Sequence, residues 1–337
     1  MTAATGGGKR VTLRDVAAHA QVSIATASYV LTGAEKAAAR YTDETAARVR
    51  RSAADLHYVP NRMARSVRTG RTGIIQLVLH MLSDPWSQSI AESFSEATPA
   101  LGWTTLIAMD SDFTAALARS EFDAAFVAAT GVSDGVGWRD ALGPLARKVA
   151  VYSPDLEPDG FDVIRFDQRR ASQVAMDHLL EHRRRVGCLI VEGAADRPED
   201  GVRRDVYVDA MRGAGLDIPD GYIVEHHKDL VDPYRAARLL LDRDDRPDAV
   251  FAGADFSAFA AVHTARELGL RVPEDVAVVG IGDSRQAALA GISSVGAVDM
   301  GARIVEFVLQ RAQDAATPTN RILELEPVLF ARASTSA

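Results

Sequence analysis

A chain of 337 residues, 47% hydrophobic and 25% charged, is too long for one compact core and too apolar to be a disordered tract. No apolar run approaches the roughly 20 residues that cross a bilayer, and the first ten residues lack the apolar stretch of a secretory signal. The net charge of −8 hides an asymmetry: residues 1–72 hold 12 basic and 5 acidic residues, and the remainder holds 26 basic and 41 acidic ones. An acidic chain as a whole argues against nucleic acid, but a basic first segment reverses that reading for the head.

Residues 1–10, with Gly6, Gly7 and Gly8, read as a flexible tail. Thr12 then opens a helix as its cap, and Asp15 stands where a carboxylate bonds back to the cap. Leu13, Val16, Ala17 and Ala20 recur at helical spacing. Gln21 and Val22 form a short turn, and Ser23 caps a second helix over 24–31 that ends at Gly33. Ala17 and Ala27 are small enough to let the two helices approach closely. Two short helices joined this way form a helix-turn-helix unit, whose second helix can enter the major groove. Thr42, Asp43 and Glu44 start a third helix that continues through Ala46, Val49, Ala53 and Leu56. Arg48, Arg50 and Arg51 lie on its other face, as DNA contacts or as a solvated charged surface.

Residues 11–33 (VTLRDVAAHAQVSIATASYVLTG) and 56–70 (LHYVPNRMARSVRTG) resemble the head of the lac-repressor (LacI/GalR) family of bacterial regulators. The likeness continues through Pro85-Trp86, residues 265–280 (ARELGLRVPEDVAVVG) and the run from Pro327 to Phe330. The resemblance implies a sequence-specific DNA-binding transcriptional regulator, commonly a repressor. It would bind a pseudo-palindromic double-stranded operator as a cytoplasmic, nucleoid-associated homodimer. A small-molecule effector would modulate its affinity; no cofactor, metal or catalytic role is implied.

By position in that pattern, Ile24, Ala25 and Tyr29 would read bases, while Thr12, Ser23, Thr26 and Ser28 would hold phosphates or bases. Tyr29 stands where an arginine is usual, which removes an arginine–guanine contact. Gln21 replaces a turn glycine, at a cost of about 1 kcal/mol if it adopts a left-handed conformation.

Pro60 sets the start of a hinge segment over 60–72, with a helix-competent run over 61–67. A helix of about two turns is marginal alone and is expected to fold on DNA. Asn61, Arg62, Ala64, Arg65, Val67 and Arg68 would grip the minor groove by resemblance. Val67 stands at the position of a wedging leucine and implies a shallower wedge.

Beyond residue 73, apolar runs at 74–79, 104–108, 124–128, 148–152, 163–166, 186–191, 222–225, 249–252 and 276–281 alternate with helical patterns at 168–181, 203–214, 233–242 and 256–268. This is the signature of parallel sheets covered on both faces, here in two α/β lobes. The turn-rich stretch 153–160 suggests the break between them. The fold class is therefore an all-α helix-turn-helix head over 11–59 and a two-lobed periplasmic-binding-protein-like body over 73–337. By resemblance the chain crosses back twice. Lobe 1 would hold about 73–158 and 293–325, and lobe 2 about 159–292 and 326–337.

Ligands in such folds sit at the strand ends between lobes. The resemblance points to Trp86, Arg203, Asp255 and Asp283 as facing that cleft. Trp86 would stack on a ring or pack as core, and Arg203 would bind hydroxyls or pair with Asp205. Ala254 and Gly282 replace an asparagine and an aspartate usual in the family, so the pocket is less suited to an ordinary free sugar, which leaves a different small molecule, such as an anionic one, or no ligand.

Other motifs carry little. Cys188 lies in an apolar strand and reads as a buried, inert thiol. Residues 280–283 and 131–135 are weak glycine-rich echoes, the second a superficial nucleophile elbow at Ser133 with no helix directly after it. His226 and His227 lack spaced partners for a metal and read as a solvated pair at a strand end. The C-terminus has no leucine heptads, which argues against a tail-driven tetramer. A solute-binding protein would fit the body but not the head.

Overall fold

The computed structural model describes residues 11–32, 41–59, 70–79, 81–109, 112–128, 138–192, 198–227, 229, 231–314 and 316–336. The chain divides into two units, residues 1–72 and 73–337.

The first unit contains α1 (Leu13–His19), α2 (Ile24–Thr32) and α3 (Asp43–Asp55). Val16, Ala17, Ala20, Ala27, Val30, Ala46, Val49 and Ala53 form their shared core. The alanines let the helix axes approach, as their spacing predicts. Thr12 and Asp15 make a reciprocal capping box: the Asp15 amide donates to Thr12 Oγ1 at 3.4 Å, and the Thr12 amide donates to Asp15 Oδ2 at 2.8 Å. Thr42 caps α3 by accepting from the Thr45 amide at 3.3 Å.

Both α1 and α3 end in the same way. Gln21 (φ 54°) and His57 (φ 51°) are left-handed. The amides that follow, Val22 and Tyr58, donate back to Ala17 O at 3.0 Å and Ala53 O at 2.8 Å. These are Schellman motifs closed by residues other than glycine. Gln21 thus takes the conformation its replacement of glycine demands.

The second unit opens with β1 (Ile74–Leu79), α4 (Pro85–Ala97), β2 (Thr104–Met109), α5 (Phe113–Ala118), β3 (Ala124–Val127), α6 (Trp138–Leu142), β4 (Val149–Tyr152) and β5 (Asp162–Phe166). It continues with α7 (Gln168–His182), β6 (Val186–Val191), α8 (Pro198–Gly213), β7 (Ile223–His226), α9 (Asp232–Leu241), β8 (Ala249–Ala252) and α10 (Asp255–Glu267). Last come β9 (Ala277–Ile281), α11 (Arg285–Leu289), β10 (Ser293–Gly296), α12 (Met300–Gln313), β11 (Ile322–Leu325) and β12 (Val328–Phe330).

Two six-stranded sheets result, ordered β11-β5-β4-β3-β1-β2 and β12-β10-β9-β8-β6-β7. Every pairing is parallel except β10 with β12. The central strands are buried on both faces, so they read as continuous apolar runs.

The sheets correct the expected lobe boundaries. The stretch 153–160 is only the connection from β4 to β5 within the first sheet, and the chain leaves that sheet after Phe166. Likewise β10 remains in the second sheet, so the return follows Gly296 and does not precede Ser293. Asp162 explains why β5 stays in the first sheet. Its carboxylate, 1% exposed, takes Arg311 Nη2 and Arg321 Nη2 at 2.6 Å each, tying β5 to α12 and to the segment entering β11. Arg321 also stacks over Phe307, 4.1 Å from the ring centre.

Candidate DNA-reading face and interlobe site

The reading face begins at the turn Gln21–Val22, which sets where α2 starts. Ser23 accepts from the Thr26 amide at 3.0 Å, and its hydroxyl shares a 2.8 Å hydrogen bond with Thr26 Oγ1. With the cap in place, Ile24 is 45% exposed and Ala25 is exposed beside it. An isoleucine left in water at the first turn of a helix whose other face is core offers an apolar contact such as a thymine methyl would accept. Ser28 and Tyr29 are half-buried one turn later. Thr12 is exposed, with its hydroxyl 2.7 Å from Asp15 Oδ2. Of the α3 arginines, Arg48 is exposed but donates from Nε to Ala20 O at 2.9 Å, satisfying the end of α1. Arg50 and Arg51 are exposed. Gly33, Pro60, Asn61, Arg62, Ala64, Arg65, Val67 and Arg68 lie outside the described residues, as do 131–135.

In the body, strand ends and crossovers converge on a cavity of about 380 Å³. Its lining includes Trp86, Asp283, Asp299, Met300 and Phe330. Asp84 caps α4, with Pro85 in its first turn, and this places Trp86 at the rim. The Trp86 ring lies 4.8 Å from that of Tyr152, at the end of β4, and its Nε1–H faces Met300 Sδ at 3.2 Å. Asp283 is left-handed (φ 46°), as is Asp299 (φ 52°). Two non-glycine residues in that conformation beside one cavity is the backbone strain that functional sites hold. Arg332, from the C-terminal segment, reaches Asp283 Oδ1 at 2.5 Å. Burial pushes the Asp283 carboxyl upward, and the Arg332 guanidinium pulls it back.

Asp255 and Arg203 are not among the residues that line this cavity. Asp255 is 1% exposed and accepts from the Ser284 amide at 2.7 Å and from Ser294 Oγ at 2.6 Å. Ser294 Oγ in turn accepts from the Asp283 amide at 2.9 Å. Asp255 therefore pins the Asp283 loop from beneath and does not line the described cavity, contrary to expectation. Burial raises its pKa, against the pull of the hydrogen bonds from Ser284 and Ser294. The glycine echo at 280–283 has its reason here: a Cβ at Gly280 would come within 2.7 Å of Asp255 Oδ1. Arg203 donates from Nη2 to Gln168 Oε1 at 2.9 Å.

The remaining motifs resolve simply. Cys188 is fully buried, which pushes its thiol pKa upward. His226 is buried, not solvated as expected, with Nε2 2.9 Å from Ser257 Oγ. His227 is exposed and faces Glu192 at 2.8 Å. Asp299, Met300 and Phe330, and the Arg332 that pairs with Asp283, were missed by sequence reasoning, because only the crossovers bring them together.

The pattern defining bacterial regulatory proteins of the lacI family matches residues 12–61, and that of a periplasmic binding protein-like domain matches 176–335. The chain thus combines a lacI-family helix-turn-helix domain with a periplasmic-binding-protein-like domain. It is 29% identical over 289 residues to the HTH-type transcriptional repressor PurR of Serratia proteamaculans, covering 82% of each chain. It is 28% identical over 291 residues to the HTH-type transcriptional regulator DegA of Bacillus subtilis, covering 83% of this chain and 84% of that one. A complex of the transcriptional regulator CelR with cellobiose superposes with a TM-score of 0.61 at 26% identity, over 96% of this chain and 100% of that one. A lac repressor dimer bound to operator and the anti-inducer ONPF shares the fold, with a TM-score of 0.71 at 20% identity, over 98% of this chain and 100% of that one. The chain is a DNA-binding transcriptional regulator and not an enzyme. Among the described residues, no helix is long and apolar enough to cross a membrane.

Proposed function

We propose that this regulator is a cytoplasmic, nucleoid-associated repressor that binds a pseudo-palindromic operator as a homodimer. A small molecule held between its lobes modulates that affinity. The observation that carries the reading is the exposed start of α2, where a capped helix offers Ile24 and Ala25 to solvent above a core that fixes its orientation. In this reading Ile24, Ala25 and Tyr29 touch base edges, and Thr12, Ser23, Thr26 and Ser28 face phosphates. Asn61, Arg62, Ala64, Arg65, Val67 and Arg68 grip the minor groove, with Val67 as the wedge. Two heads on a two-fold axis match a two-fold operator.

Trp86 and Asp283 form the effector wall, Asp255 holds that wall in place, and Arg203, bonded to Gln168, is the further effector-binding residue. Trp86 supplies an aromatic face, while Asp283 is already neutralised by Arg332. The effector is therefore held more by packing and shape than by charge.

Tyr29→Ala tests the reading face. Its affinity for a duplex selected by the parent protein should fall about 10- to 100-fold, the size of one lost base contact. Its affinity for unrelated duplex at the same salt should hardly change. Fluorescence anisotropy measures both, and equal losses on the two duplexes would remove Tyr29 from base reading.

A further inference from the structure

Besides the crossovers, α4 of the first lobe meets α11 of the second through polar groups. Ser89 Oγ accepts from the Arg285 amide at 2.9 Å and lies 3.2 Å from Gln286 Oε1. Gln286 Nε2 donates to Gln88 Oε1 at 2.7 Å. The Arg285 guanidinium grips Glu96 with Nη1 at 3.1 Å and Nη2 at 3.3 Å, and its Nε lies 3.6 Å from Glu92 Oε2.

This composition matters for what the contact can do. An apolar interlobe surface would resist opening, because opening exposes it to water. Polar groups at a half-exposed seam exchange their partners for water at little net cost, and exposed ion pairs are weak and screened by salt. The seam is thus a contact that can be made and broken.

Its position matters equally. Trp86 is the second residue of α4, and Arg285, the first residue of α11, stands two residues beyond Asp283. Ser89 and Arg285 themselves line the same cavity as Trp86 and Asp283. Both helices are also anchored rigidly in their own lobes. Ser284 caps α11 and is held by Asp255, while Gly301 of α12 abuts Ser93 of α4, where an added Cβ would come within 2.3 Å of the hydroxyl. Displacing Trp86 or Asp283 therefore moves a whole helix against its partner.

We propose that the α4–α11 seam, centred on Arg285, Gln286, Ser89 and Glu96, is a reversible polar latch that holds the two lobes in one arrangement. That its state follows occupancy of the adjoining cavity, and so biases DNA affinity, rests on the effector reading above.

The latch is testable without ligand or DNA. Glu121 and Arg212 are exposed, one in each lobe, and the chain's single cysteine, Cys188, is fully buried. Full-length protein carrying Glu121→Cys and Arg212→Cys takes two spin labels, and dilution into unlabelled protein keeps the measured pair within one chain. Pulsed electron resonance at about 0.05 M salt should give one narrow distance. That distance should lengthen by several ångströms and broaden at about 0.5 M salt, which shortens the screening length about threefold. Arg285→Ala with Gln286→Ala should do the same at low salt. Arg285→Glu should also open the seam, and adding Glu92→Arg and Glu96→Arg to it should restore the narrow distance. A double alanine variant that superposes on the parent, or a reversed pair that fails to restore it, overturns the latch. Should the distances respond while affinity for a selected duplex stays constant in the same variants, the latch stands and the effector reading falls.

Discussion

In the head, the proposed base-reading groups come from one short stretch, residues 24–29, fixed by bonds between near neighbours: Val22 to Ala17, Thr26 to Ser23, Ala27 to Ser23. In the body, the cavity wall is gathered from the start of α4, the loop after β9, the second crossover and the end of β12, fixed by bonds that span the chain. The head presents its recognition groups to water, whereas the body buries a carboxylate to position another. Local construction keeps a reading surface in place without a ligand. Long-range construction lets a small change in the wall reach several elements at once.

The largest test of this contrast lies far from either surface. Asp162→Ala leaves Arg311, 7% exposed, and Arg321 without their shared carboxylate. The body should lose about 3–5 kcal/mol of stability, as expected when one partner of a buried ion cluster is removed. Denaturant unfolding followed by the near-ultraviolet signal of the body reads this directly. A loss within error of zero would mean that the crossover is held by something else.

Next in size, Asp255→Ala strands the Ser284 amide and the Ser294 hydroxyl, and should destabilise the body by about 1–3 kcal/mol. Because Asp255 acts through the Asp283 loop, the variant should also change Trp86 fluorescence. Loss of stability with an unchanged Trp86 signal would confine Asp255 to its own surroundings.

The smallest effect sharpens the head's side of the comparison. Gln21→Gly relieves a left-handed residue, offset in part by the added freedom of the unfolded chain. A gain of about 0.5–1 kcal/mol in thermal unfolding of the head is expected. A loss would show that the Gln21 side chain makes a contact worth more than the strain.

The same contrast explains how much was legible in the sequence. The capping box at Thr12, the cap at Ser23 and the strand at 186–191 appear where residue type and spacing place them, since each is decided by neighbours along the chain. The left-handed end at His57 was not legible, because no glycine marks it. Nor was the burial of Asp255, whose partners lie 29 and 39 residues away. The lobe boundaries slipped because a turn-rich stretch marks a turn and says nothing of which sheet the next strand joins. Resemblance alone directed attention to Trp86 and Asp283, which line the cavity; residue type by itself left Trp86 equally suited to a core.

The central claim is that the exposed start of α2, doubled in a dimer, reads sequence. Selection of purified full-length protein against a pool of randomised duplexes at moderate salt, with and without a metabolite mixture, tests it most directly. The account predicts enrichment of a pseudo-palindrome in at least one of the two conditions, lost when Tyr29 is replaced by alanine. Recovery of an unenriched pool in both conditions would contradict it.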